Sequence, residues 1–386
     1  MRCVAALLLI IPFCVPVPVA AAELRIATFN VAMGLDQQGE LAARLRRDDD
    51  PRLRQLAAIL QMVRPDIVLL NEFDYDPSID AAELLNRNYL DHGERPLHYP
   101  YHFRAEVNTG IDSGMDLDRD GQLHGPGDAW GFGWFPGQYG MLLLSRYPLR
   151  DERTRSFRLL TWNSLPGAQR PVLPDGTAFY DDATWEQLRL SSKSHWDLLF
   201  DIDGQELHLL AFHPTPPVFD GPEDRNGRRN SDEIRLWRDY SNPSQDGEMS
   251  AYIVDDAGMA GGLAPGARFV IAGDFNADPL DGDSLPGAME QLLAAPWIDA
   301  GCIPVSEGGA AAAGQGGVNR TQRGDPAADT ADFNDERVGN LRLDYLLPSR
   351  GLRWTGCGVF WPVPDADGSD LVDLSDHRLM WLDLIL

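Results

Sequence analysis

The sequence predicts an α/β protein of layered sheets and helices, and three observations carry that expectation. Short, strand-like runs recur at 24–29, 67–71, 141–145, 196–201, 206–212, 268–272, 343–347 and 379–384. Several are almost wholly apolar, as strands covered on both faces must be. Amphipathic stretches with helical spacing sit among them, at 51–63, 81–89, 232–240, 248–255 and 284–295; a chain that mixes the two kinds of element packs them as layers. Third, polar residues stand where the apolar runs end: Asn30 after IATF, Glu72 after IVLLN, His213 after LHLLAF, Asp274 after FVIAG, and Asp344 inside RLDYLL. Ligand crevices of layered α/β folds lie at strand ends, so one shared cleft is expected there.

The first 22 residues have the pattern of an export signal. Arg2 supplies the positive start, 4–19 is mostly apolar, and Ala20, Ala21 and Ala22 offer a small-residue cleavage site. Pro12, Pro16 and Pro18 interrupt the run, which is shorter than the ~20 residues a spanning helix needs. Residues 23–386 are then expected as one mature domain, periplasmic or extracellular, with no transmembrane segment. Cys3 and Cys14 leave with the signal, so Cys302 and Cys357 remain as a candidate disulfide, two separate buried thiols being the alternative.

The formal charge is −26. Affinity for long nucleic acid leans on Lys and Arg neutralising phosphates, and here Lys193 is the only lysine. A small or lipid-like partner is therefore favoured over a polyanion. Two long Gly-, Trp- and Asp-rich interruptions, 106–138 and 150–194, are expected as loops around the cleft. A third, 307–340, opens with GGAAAAGQGG and is expected to be mobile.

Chemistry concentrates in a few short motifs. In GDFNADP, a carboxylate and an amide, Asp274 and Asn276, stand two residues apart after an apolar run. In extended chain both point to one side, where Asp274 can orient a water and Asn276 can donate to the same reacting centre. The same letters also favour a plain turn. In SDH, Asp376 and His377 could supply a metal ligand and an imidazole. Asp344, on an apolar run, needs a partner, and a bond to His377 would satisfy both. Glu72 and Asn30 offer hard oxygens, which suit Mg2+, Mn2+ or Ca2+ better than Zn2+. His213 is the remaining candidate acid.

Taken in order, TFN, NE, YGMLLLSRYPL, the strand-end His213, GDFN, RLDY and SDH resemble the endonuclease/exonuclease/phosphatase superfamily. The resemblance implies a four-layer α/β/β/α sandwich of two packed mixed β-sheets flanked by helices, with the site at one end. It implies that Glu72 is the principal metal ligand, with Asn30 and Asp376 near the metal or phosphate. Asp274 and Asn276 would activate water and position phosphate, and His377 with Asp344 would form the couple facing the phosphate. His213 would be the second histidine, and Tyr139 would lie near the site. The implied reaction is metal-dependent hydrolysis of phosphate mono- or diesters, with Mg2+ or Mn2+ as the catalytic ion, by in-line attack of water. An extracellular nuclease, or an inactive binding module of the same fold, are the alternatives.

Two segments depart from that pattern. The Pro-rich stretch 213–230 is expected as a loop whose Arg225, Arg228 and Arg229 either fork onto phosphate or form a solvated charge run. MDLDRDG places Asp116, Asp118 and Asp120 as the start of a calcium loop. Gly127 stands where that loop would carry its bidentate Glu, so Asp128 is the available substitute and the ion would be structural.

Overall fold

The computed structural model describes residues 23–244 and 248–386; the expected export signal lies outside the described residues. In chain order the elements are β1 (Glu23–Met33), α1 (Glu40–Leu45), α2 (Pro51–Val63), β2 (Ile67–Phe73), α3 (Ala81–Leu85), β3 (Tyr101–Phe103), β4 (Met141–Ser145), β5 (Arg155–Ser156) and α4 (Asp182–Trp185). There follow β6 (His195–Ile202), β7 (Gln205–Phe212), α5 (Arg225–Tyr240), β8 (Phe269–Asp274), α6 (Ala288–Leu293), α7 (Glu307–Ala312), β9 (Ala331–Asp332), β10 (Asn340–Leu341), β11 (Asp344–Pro348), β12 (Arg353–Val359) and β13 (Met380–Ile385).

Two mixed sheets form the centre. One runs β12-β13-β1-β2-β4-β3 and the other β11-β8-β7-β6-β5. Strand alternation sorts their side chains into three layers. Ile26, Ile67, Leu69 and Leu143 of the first sheet meet Leu198, Leu209, Val270 and Leu346 of the second in the space between them. The alternate residues Ala27, Phe29, Val68 and Leu70 point outward and pack on Leu53, Leu56 and Leu60 of α2. On the opposite outer face, Leu210, Phe212 and Ile271 pack on Ile234 and Trp237 of α5 and Leu292 of α6. The result is the four-layer α/β/β/α sandwich, and both faces of each central strand are apolar because both are covered.

Helix α2 shows how local chemistry sets an element. Asp50 caps it by accepting from the Arg52 and Leu53 N–H groups at 3.0 and 3.1 Å, and Pro51 opens the first turn. Its Arg52 guanidinium then donates to the Ala32 and Leu374 carbonyls at 2.8 and 2.9 Å, tying the end of β1 to the turn before His377.

Four expectations differ from the structure. Residues 248–255 form turns rather than a helix, and the Asp255 carboxylate turns the chain that follows by accepting the Ala257 and Met259 N–H groups at 3.1 and 2.8 Å. The Pro-rich loop ends sooner than expected, since α5 begins at Arg225. Asp220, well upstream, accepts the Asn226 N–H at 2.6 Å, and such a cap is invisible to local pattern. The stretch 307–340 is folded rather than mobile. Ser306 caps α7 through the Gly309 N–H at 3.0 Å, and a Cβ on Gly308 would fall 2.3 Å from the Trp361 carbonyl oxygen, so the glycine serves close packing. Strand β12 had no sequence signal because Gly356 and Gly358 interrupt it; both lie against the Trp381 ring.

Cys302 and Cys357 are joined by a disulfide across 55 residues of chain, with Cα atoms 6.1 Å apart, anchoring β12 to the segment after α6. Replacing both cysteines with serine is expected to lower stability by about 2–4 kcal/mol through the freed denatured chain. Urea denaturation of the double variant checks this; an unchanged midpoint would show that the crosslink constrains nothing.

Candidate active site

Both sheets deliver polar residues to one end of the sandwich. Strands β1 and β2 are parallel with Asn30 beside Asn71, and β8 and β11 are antiparallel with Asp274 opposite Asp344. His213 follows β7 directly, and His377 precedes β13. Ser375 fastens the last of these by donating to the Asn30 carbonyl at 2.8 Å and accepting the His377 N–H at 3.0 Å.

Asp274 is the centre of the cluster. Its Oδ2 accepts from Asn30 Nδ2 at 3.0 Å and lies 3.4 Å from His213 Nε2 and 3.5 Å from His377 Nε2. Its Oδ1 accepts the Asn276 N–H at 2.8 Å. The chain therefore turns at Asn276, whose φ is 51°, and the pair is joined by an Asx turn instead of sharing a pleat as the extended-chain argument expected. The Asn276 side chain donates to the Pro214 carbonyl at 3.2 Å.

Behind His377, its Nδ1 lies 2.8 Å from Asp344 Oδ2. Thr330 donates to that same oxygen at 2.8 Å and accepts the Leu343 and Asp344 N–H groups at 3.0 Å each. Phe333 meets the His377 ring edge-on, with centroids 5.6 Å apart. The segment expected to be mobile thus forms a wall of the site.

The environment separates the two histidines. Burial would push both imidazoles down, but Asp344 and Asp274 outweigh it at His377 and raise its pKa to about 10. At His213, despite Asp274 at 3.4 Å, burial aided by the charges of Lys193 and His377 drives the imidazole well below its usual value and keeps it neutral. Burial raises Asp274 to about 6 against the pull of His377. It also raises Glu72, against Lys193 and a hydrogen bond from Asn30.

Glu72 and Tyr139 have φ of 53° and 55°, and with Asn276 they place three left-handed non-glycine residues among the candidates. Asp74 steadies two of the loops: its carboxylate accepts the Leu35 and Tyr139 N–H groups, each at 2.9 Å. The Tyr139 ring lies on Gly34, where a Cβ would come within 2.1 Å of it. Asp376 is exposed beside the cluster, and its charge acts on His377 and Arg52.

The donor set fits a divalent cation. Asp274 and Asp344 flank His377, the charge of Lys193 acts on Glu72 and Asp274 from beyond contact distance, and burial disfavours the ionised form of Glu72 and Asp274. Asp344 Oδ1 is buried without a partner. The Asn30 amide oxygen accepts only the Ala32 N–H, at 3.1 Å, which leaves it a lone pair. One ligand atom each from Asp274, Asp344 and His377 also lie within 4.8 Å of one another. That trio is already knit by the His377–Asp344 bond, so Glu72 with Asn30 is the more open place for an ion.

Other predicted residues are occupied elsewhere. Arg225 pairs with Glu223, and Arg228 donates to the Glu223 carbonyl. Arg229 donates to the carbonyls of Trp130, Arg189, Leu190 and Ser191. Arg225 and Arg229 thus brace loops, while Arg228 commits only its Nε. Asp128 is buried, its oxygens accepting the Leu117 and Gly125 N–H groups, so it is not free to complete a calcium loop. Asp116, Asp118 and Asp120 do come together, with ligand atoms within 4.8 Å.

Sequence reasoning missed Asn71, Asp74, Thr330 and the position of Lys193. Asn71 had a signal, an amide closing an apolar run, and it spans the two sheets: it accepts from Thr28 Oγ1 and the Asp274 N–H at 3.2 and 3.3 Å and donates to the Phe212 carbonyl at 3.4 Å. Thr330 had none.

Fold and site together define a phosphoesterase-type α/β/β/α sandwich. The model of the endonuclease/exonuclease/phosphatase family matches residues 27–377, and the chain belongs to that family. No curated protein matches the sequence. Among solved structures, an endonuclease/exonuclease/phosphatase from Beutenbergia cavernae is 18% identical with a TM-score of 0.51, covering 94% of this chain and 72% of its own. Sphingomyelinase C from Streptomyces griseocarneus is 16% identical with a TM-score of 0.47, over 94% of this chain and 99% of its own. A magnesium-bound variant of Staphylococcus aureus beta toxin is 13% identical with a TM-score of 0.49, over the same shares of 94% and 99%.

The charged His377 makes stability pH-dependent. The folded protein holds its imidazole proton up to about pH 10, whereas the unfolded chain releases it near 6.5. Between those values the folded state binds the extra proton, so this contribution is complete below 6.5 and is lost as pH rises through 10. Metal-stripped wild type should lose melting temperature over that window more steeply than His377→Gln; parallel curves would refute the charged state.

Proposed function

We propose that this protein is an exported, divalent-cation-dependent phosphoesterase that hydrolyses phosphate mono- or diesters of small or lipid-like molecules. The observation that carries this is the convergence of Asn30, His213, Asn276 and His377 on the single carboxylate of Asp274. Family membership supports the reaction class. The disulfide supports export, and the charge of −26 favours small esters over polyanions.

In this mechanism Asp274 orients a water and accepts its proton as the oxygen attacks phosphorus in line with the leaving group. Neutral His213, beside Asp274 Oδ2, helps to hold that carboxylate in place. The remaining Asn276 N–H and the His377 Nε2–H face the phosphoryl oxygens, and Asp344 keeps His377 protonated and oriented. Tyr139, held on Gly34, lines the phosphate side near Glu72. A Mg2+ or Mn2+ ion held by Glu72 and Asn30, with Asp376 nearby, would supply charge neutralisation on the phosphoryl group.

Assay of purified protein with Mg2+, Mn2+ and Ca2+ against nitrophenyl phosphate, its bis-ester, lipid head-group esters and plasmid DNA tests the reading. Turnover of a small or lipid-like ester is expected, with plasmid DNA slower. Absence of all turnover would leave only a binding module, and preferred DNA cleavage would make the protein a nuclease. Asp274→Ala and His377→Ala should each lower kcat/KM by about 10²–10⁴-fold; rates equal to wild type would remove those residues from the mechanism.

Calcium has a separate proposed place at Asp116, Asp118 and Asp120. Asp116 Oδ1 is buried without a partner, and Gly121 takes the positive φ of 83° that the sixth position of such a loop requires. Chelation should lower the melting temperature of wild type more than that of Asp118→Ala. An equal drop in both would end the calcium assignment.

A further inference from the structure

Lys193, the chain's only lysine, is 6% exposed and sits just ahead of β6. An ammonium has three hydrogens to donate, yet its hydrogen bond in this fold is a long one, 3.4 Å to the Pro214 carbonyl. Among the described residues no carboxylate oxygen lies within 4.0 Å of it. The buried acid whose charge acts most on it is committed elsewhere. Glu233 of α5 accepts the Ser192 N–H at 2.7 Å, the Ser192 hydroxyl at 3.1 Å and the Thr215 N–H at 2.7 Å. Glu233 therefore clamps the residues flanking Lys193 and Pro214 while leaving the ammonium unpaired.

A buried cation with no carboxylate in contact is costly: burial pushes the Lys193 ammonium down, and only the more distant charges of Glu233, Glu72 and Asp274 oppose it. Its location explains what would. Asn276 Nδ2 donates to the same Pro214 carbonyl at 3.2 Å, so the ammonium stands beside the amide that faces the phosphate. Its charge also reaches Glu72, Asp274 and His213. Lysine is a compact point charge suited to a phosphoryl oxygen.

We propose that Lys193 is a catalytic residue whose ammonium receives a non-bridging phosphoryl oxygen of the substrate, filling the donors that the fold leaves open. This rests on the phosphoesterase reading above and adds to it a cationic phosphate contact supplied by the protein itself.

The test compares wild type, Lys193→Met and Lys193→Gln in Mg2+, with inorganic phosphate titrated by calorimetry and the nitrophenyl bis-ester followed by turnover. Lys193→Met should bind phosphate about 10–100-fold more weakly, as expected for loss of one charged hydrogen bond, and lose about 10²-fold in kcat/KM. Melting temperature should hold or rise, because an unpaired buried charge has been removed; a purely structural lysine would lower it. Unchanged phosphate affinity overturns the proposal whatever the activity, and so does failure of both variants to fold. Wild type that binds phosphate through Lys193 but turns over no ester would instead overturn the hydrolase reading and leave the anion contact standing.

Discussion

The carboxylate of Asp274 is the point on which the site depends, because it is where the two sheets meet in polar contact. Its backbone N–H reaches Asn71 of the first sheet, and its side chain takes the Asn30 amide from that same sheet. Elsewhere the sheets touch largely through apolar side chains, aliphatic ones and the edge-to-face pair of Phe103 and Trp196 among them. The Asn30–Asp274–Asn71 contacts set β8 against β1 and β2 at the end where His213, Asp344 and His377 also emerge.

Loops around that centre are held by buried polar groups on α5 and on the 307–340 segment. Arg229, Asn230 and Glu233 lie on one stretch of α5 and between them bind backbone groups of residues before β6, after β7 and after β8. Each buried polar group is thereby matched to a loop that could not otherwise satisfy its own backbone. On the other side, Thr330 and Phe333 press the Asp344–His377 couple from outside the sandwich. A site built on strand ends thus gains rigidity from a helix and an insertion that contribute little to its reacting atoms.

Electrostatic environment assigns the two imidazoles different work. His377 faces two carboxylates and stays protonated, while His213 faces Asp274 amid neighbouring positive charge and stays neutral. A positive donor and a neutral support next to one proton acceptor make the division of roles that general-base attack on a phosphate ester needs. Left-handed backbone at Glu72, Tyr139 and Asn276 belongs to the same economy of form: strain is retained where a side chain must be aimed.

The sequence by itself determined the mixture of strands and helices and the strand-end residues, and the family motifs implied the four layers. Near-continuous apolar runs such as 67–71 and 207–212 read as strands covered on both faces, and a polar residue closing such a run stands at the end of its strand. Hence Asn30, Glu72, His213, Asp274, Asp344 and His377 were legible as candidates, and the family motifs ordered them. Tertiary structure alone decided the rest, because it turned on partners distant in the chain. Asp220 starts α5, Glu233 takes the Ser192 and Thr215 backbones and leaves Lys193 unpaired, and the arginines of 225–229 are drawn onto Glu223 and backbone carbonyls. In the segment 307–340, expected to be mobile, Gly308 and Gly309 are close-packing positions against Trp361 and Pro326. Local pattern records what a residue prefers; which partner satisfies it is decided only when the sheets close on one another.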